Sequence, residues 1–186
     1  MRNTAFERDN IRDLAYIGVM AAIIAVCSWI SFPVMGVPLT LQTMGVFLAL
    51  RLLGGKRGIA AIALYILLGL IGVPVFASFN AGPGYLVGPT GGYIIGFLAM
   101  GGIYWALESA LKYRWLKDAA LYGCLMVCYI LGTAWFIYAM GAKGRPFTVG
   151  KALSACVLPF LIPDAVKLVV SELIVNRVER VINIKA

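Results

Sequence analysis

Residues 14–50 read LAYIGVMAAIIAVCSWISFPVMGVPLTLQTMGVFLAL, a run without one charged side chain. An α-helix rises 1.5 Å per residue and a bilayer's hydrocarbon core is about 30 Å thick. The run is therefore too long for one span and too short for two generous ones. Pro33 and Pro38 divide it, because proline lacks the N–H that a helix interior needs. The pattern predicts a first helix over 14–32 and a second over 40–53. The second is short for a full span, so either it tilts or the segment before it re-enters the membrane against protein.

Working outward, the tight charged turn Gly54-Gly55-Lys56-Arg57-Gly58 leads into a third helix over 59–71, stopped by Gly72 and Pro74. A fourth is expected over 90–111, a fifth over 119–140, and a sixth over 152–175 that Pro159 and Pro163 interrupt. Residues 1–13 carry mixed charges, too acidic and polar for a signal peptide, and read as a retained amphipathic lead-in. The fold expected is all-α: a polytopic membrane protein, a six-transmembrane-helix bundle forming one domain over residues 1–186.

Composition agrees. Of 186 residues, 62% are hydrophobic and 13% charged, with 21 glycines among them. A soluble domain of this size needs more surface charge, and glycine is commoner in transmembrane helices. The net charge of +8 does not point to nucleic acid, because no basic stretch alternates with aromatics or forms a compact patch. Basic residues instead sit at helix ends. With a cytoplasmic amino terminus, that side receives Arg2, Arg8, Arg12, Arg51, Lys56, Arg57, Lys112, Arg114, Lys117, Arg177, Arg180 and Lys185. The other receives only Lys143, Arg145 and Lys151, while Lys167 stays inside the last helix. This positive-inside bias predicts both termini cytoplasmic and the 73–88 loop external.

Cys27, Cys124, Cys128 and Cys156 all lie in apolar stretches and no histidine accompanies them, so buried free thiols are expected and no metal site. No acid–base pair, nucleophile triad or Gly-Lys-Ser/Thr phosphate loop supports an enzyme or a cofactor. Asp164 and Lys167 are the sharpest signal. Three residues apart, they share one helix face. Either one alone in lipid would cost roughly 2.5–3.5 kcal/mol. They either contact a polar ligand or pin the last helix to the bundle. Pro159 and Pro163 would leave free carbonyls beside them.

The uncharged 73–93 segment has turn signals at Asn80-Ala81-Gly82-Pro83-Gly84 and Gly88-Pro89-Thr90-Gly91-Gly92. Asn80 is a donor and acceptor or a turn residue. Tyr85 and Tyr93 are pocket walls or interface anchors, and Phe76 and Phe79 add apolar surface. In the first helix Gly18, Ala21, Ala22 and Ala25 form a small-residue stripe, open to packing within the bundle or against a partner.

Thr40-Leu41-Gln42-Thr43-Met44-Gly45, Gly88-Pro89-Thr90-Gly91-Gly92-Tyr93 preceded by Pro74-Val75-Phe76, and Asp164-xx-Lys167 together resemble a known family. It is that of the biotin-specific membrane subunits (S components) of energy-coupling-factor transporters, and the likeness spans nearly the whole chain. The resemblance implies a subunit of the bacterial cytoplasmic membrane that captures biotin from outside with high affinity. It also implies a transmembrane coupling protein and two ATPase subunits as partners, which hydrolyse the ATP. Ligand contacts map onto Asn80, Asp164 and Lys167, with Tyr85, Gly92, Tyr93 and Phe79 around them, and the Gly18–Ala25 stripe onto the coupling-protein surface.

Overall fold

A computed structural model describes residues 2–32 and 37–182. The chain runs α1 (Arg2–Trp29), β1 (Ser31–Phe32), β2 (Leu39–Thr40), α2 (Gln42–Leu70), a 3-10 turn at Ala77–Phe79, and α3 (Pro83–Leu86). It continues through α4 (Gly91–Glu108), α5 (Arg114–Ala142), α6 (Val149–Cys156) and α7 (Leu158–Ile182). The architecture is predominantly α-helical. Among the described residues four helices are long and apolar enough to cross a membrane: Asn10–Trp29, Gln42–Leu70, Arg114–Ala142 and Val149–Val181. That is fewer than the six full spans expected.

Two of the expected spans account for the difference: α4 (Gly91–Glu108) is not among the four, and α2 holds two expected helices in one. Gly54 has φ +77° and ψ 169°, a positive-φ conformation outside the helical region and open to glycine. The Gln42 amide, in turn, donates to the Tyr65 hydroxyl at 3.0 Å. In a straight helix those residues would stand about 34 Å apart. α2 therefore folds back at Gly54 into two antiparallel arms, 42–53 and 55–70, each shorter than a 30 Å core at 1.5 Å per residue. The expected five-residue turn shrinks to one residue, because a single positive-φ glycine reverses the chain and Gly55-Lys56-Arg57-Gly58 are already helical.

Three further expectations change. α1 begins at Arg2, so the polar lead-in is part of the same helix, and it ends at Trp29. Its exit is a small antiparallel hairpin, Ser31 opposite Thr40 and Phe32 opposite Leu39, within a segment read as loop and helix end. The last helix breaks at Val157 (φ −124°, ψ −58°), ahead of both prolines. Pro159 falls in the first turn of α7, where a missing N–H costs nothing, and only Pro163 lies inside the helix.

α2 is the central element, packed against α1, α4 and α7, while α4 pairs with α5. Tyr65, Tyr104, Phe47, Phe76 and Phe136 are fully buried between them. Among the described residues, two clusters of buried charged groups lie in the bundle. One lies at the carboxyl end of the first α2 arm, where the Arg51 side chain is 6% exposed. Its guanidinium pairs with Asp118 of α5 at 2.8 Å and with Glu172 of α7 at 2.7 Å. Arg114 extends this network to Glu172 at 3.4 Å, and to Asn176 and Glu179. The other centre contains Asp164.

Candidate ligand site

Asp164 and Lys167 stand in the second and third turns of α7, 2% and 7% exposed. Lys167 Nζ donates to Asp164 Oδ1 at 2.6 Å. Two other helices complete the cluster. Thr43, in the first turn of α2, donates its hydroxyl to the same Oδ1 at 2.8 Å and accepts from Lys167 Nζ at 3.1 Å. Tyr129 of α5 donates its hydroxyl to Oδ2. The charges cancel and each buried polar group has a partner, which is what burial in a low-dielectric interior demands. Capacity remains. A carboxylate oxygen accepts two hydrogen bonds and an ammonium donates three, so Oδ2 keeps one lone pair and Lys167 one N–H.

The cluster forms part of the lining of a cavity of about 580 Å³, mouth included. Most of that is open space at the mouth: the room for water-sized molecules inside is about 70 Å³, below the usual range of small-molecule sites. Aromatic and aliphatic walls come from Tyr85, Tyr93, Phe97, Leu125 and Phe160, with Thr40 and Gln42 adding polar groups. One end of the cavity is charged and hydrogen-bonding; the remainder is largely apolar.

Local packing aims the walls. Phe76, fully buried, stacks on Tyr85 with centroids 5.2 Å apart and meets Tyr65 edge-on at 5.6 Å. Burial raises the Tyr85 phenol above its ordinary pKa, offset in part by its hydrogen bond with Thr90, so it remains a neutral donor at physiological pH. The Tyr93 hydroxyl lies 2.9 Å from Thr133 Oγ1. Its ring lies flat on Gly132, where a Cβ would come within 2.2 Å of ring carbon, so no larger residue fits.

Of the residues singled out in the sequence, Asp164, Lys167, Tyr85 and Tyr93 line this one cavity. Three others sit elsewhere. Asn80 is exposed, and its amide donates to the Ala77 carbonyl at 2.7 Å. Phe79 is 63% exposed and stacks on Trp29 of α1 at 5.0 Å. Gly92 faces Trp135 of α5, whose Cβ would be 2.3 Å from a Cβ added there. The small-residue stripe divides. Ala21 and Ala25 are buried in the bundle, whereas Ala22 is exposed and nothing lies within 4 Å of a Cβ placed on Gly18. The four cysteines are free and buried, and Cys128 and Cys156 line the cavity. No group of three or more His, Cys, Asp or Glu side chains that could hold a metal occurs among the described residues.

Thr43 and Tyr129 were not singled out as site residues. Thr43 lies in the Thr40–Gly45 motif that marks the family resemblance, which could have flagged it. Tyr129 is one more aromatic in an apolar helix, and nothing local distinguishes it.

Apolar helices enclosing a small cavity with a charged end define a multi-pass membrane protein with a candidate ligand site inside its bundle. The chain belongs to the BioY family, whose model matches residues 1–184. The biotin transporter BioY of Thermotoga maritima is 40% identical over 174 residues, covering 91% of this chain and 97% of that protein. A probable biotin transporter BioY of Pyrococcus horikoshii is 35% identical over 168 residues, covering 90% and 96%. The crystal structure of the S-component for biotin from an ECF-type ABC transporter superposes with a TM-score of 0.81 and 25% identity, over 93% of each chain.

Proposed function

We infer that the chain binds biotin in the Asp164–Lys167 cavity and serves its uptake as the substrate-specific subunit of an energy-coupling-factor transporter. One observation carries this reading within the molecule: a buried, charge-neutral hydrogen-bonding cluster with spare capacity lines an otherwise largely apolar, partly open cavity. Biotin's ureido ring offers two N–H donors and a carbonyl acceptor. Asp164 Oδ2 accepts from an N–H and the free Lys167 N–H donates to the carbonyl. The apolar valeryl chain and thioether ring then lie against Tyr85, Tyr93 and their neighbours.

Asn80 and Phe79 contact ligand when the 73–88 segment closes over the cavity, and Gly92 holds the helix start beside Tyr93. The bundle has six membrane segments, the two arms of α2 counting separately. Both termini are cytoplasmic, which leaves the cavity open to the outside. The outward Gly18 and Ala22 meet the coupling protein, and two ATPase subunits hydrolyse the ATP. The subunit itself catalyses no reaction.

A thermal-shift titration of the purified chain against a panel of vitamins tests this assignment. Biotin raises the melting temperature at nanomolar concentration and the other vitamins do not; a panel without a biotin response removes it. Because the cluster is internally satisfied, a second reading is that it only pins α7 to α2 and α5. In that case Asp164→Asn lowers the melting temperature with no effect on any ligand.

A further inference from the structure

The two polar centres share a register. Thr43 bonds Asp164 and Arg51 bonds Glu172, each pair 121 residues apart in sequence. Equal offsets at the two rungs mean that the first arm of α2 and α7 run parallel. The rungs stand two turns apart, about 12 Å along the axes. Ser171 donates to its own helix at the Lys167 carbonyl (2.7 Å) and also reaches the Met44 carbonyl at 3.4 Å, a pair 127 residues apart that ties the helices outside the two rungs. Sliding α7 along the arm must break both rungs at once. Such a slide would carry Asp164 and Lys167 away from Thr43 and change the charged end of the cavity.

We propose that Arg51 and Glu172 are positioning residues for ligand binding, a lower rung that fixes the register in which Thr43, Asp164 and Lys167 meet the ligand. This inference rests on the biotin reading above. Asp118 holds Arg51 from α5, and Arg114, Asn176 and Glu179 hold Glu172 or Arg114 in turn, so the rung is itself braced. A residue of this kind touches no ligand and acts through the upper rung.

The test is a double-mutant cycle on biotin affinity in the purified chain, with Glu172→Gln, Thr43→Val and the pair. Glu172→Gln keeps the shape and an acceptor but removes the charge. It weakens biotin binding about fivefold, and in its background the effect of Thr43→Val shrinks at least threefold. Sites this far apart normally act independently. Effects that multiply to within twofold overturn the proposal, as does an unchanged affinity in Glu172→Gln. If Glu172→Gln does not purify folded, Arg51→Lys replaces it in the cycle under the same criteria. Wild-type chain that fails to bind biotin would overturn the functional reading instead, so the two failures are separable.

Discussion

The Asp164 and Arg51 centres are built alike and surrounded differently. Each joins a residue of the first α2 arm to acidic groups of α7, and each draws a third partner from α5: Tyr129 above, Asp118 below. The upper centre opens onto a cavity, and its partners are a threonine, a tyrosine and one ammonium. The lower centre is an extended ion-pair network that reaches the half-exposed Arg114. The contrast teaches that buried charge alone does not mark a binding site. What marks a candidate site is spare hydrogen-bonding capacity beside an open cavity.

Substitutions can break or sharpen this contrast. The largest effect is expected below. Arg51→Leu takes the guanidinium from Asp118 and leaves Glu172 with Arg114 and Asn176, and removing one partner of a buried pair typically costs about 3–5 kcal/mol. Thermal denaturation without ligand should register it as a large loss of stability, exceeding any loss of affinity. Above, Lys167→Ala should cost about 2–5 kcal/mol of ligand affinity, the scale for truncating one member of a buried charged pair. Calorimetric titration against unchanged detergent conditions measures it.

Tyr129→Phe removes one hydrogen bond to a charged oxygen, worth about 1.5–3 kcal/mol. If the two centres differ as described, that loss appears in both stability and ligand affinity. The smallest effect lies outside both centres. Arg57 pairs with Asp13 at 2.9 Å but is 40% exposed, and exposed pairs contribute about 0.2–1 kcal/mol. Arg57→Ala should leave affinity unchanged and the melting temperature nearly so.

Much of the fold and part of the site were legible in the sequence, and the limits were physical. Asp164 and Lys167 stood out because opposite charges three residues apart in an apolar run share a helix face, and lipid penalises either one alone. Gly54 was legible as a reversal, though its brevity was not, since one positive-φ residue suffices. Arg51 read as a boundary charge; only the approach of α5 and α7 reveals it as buried. Thr43 and Tyr129 come to Asp164 from 121 and 35 residues away, and uncharged side chains on apolar helices carry no local sign of such meetings. The break at Val157 was displaced from the prolines for a related reason. Proline disfavours a helix interior but suits a helix start, and sequence pattern does not distinguish the two when both lie within one apolar run.

The most direct measurement is calorimetric titration of biotin into the purified chain and into its Asp164→Asn and Lys167→Ala variants. The expected result is nanomolar binding by the unmodified chain alone, lost by at least tenfold in both variants while they remain folded. Wild-type affinity in both variants would contradict the assignment of the site.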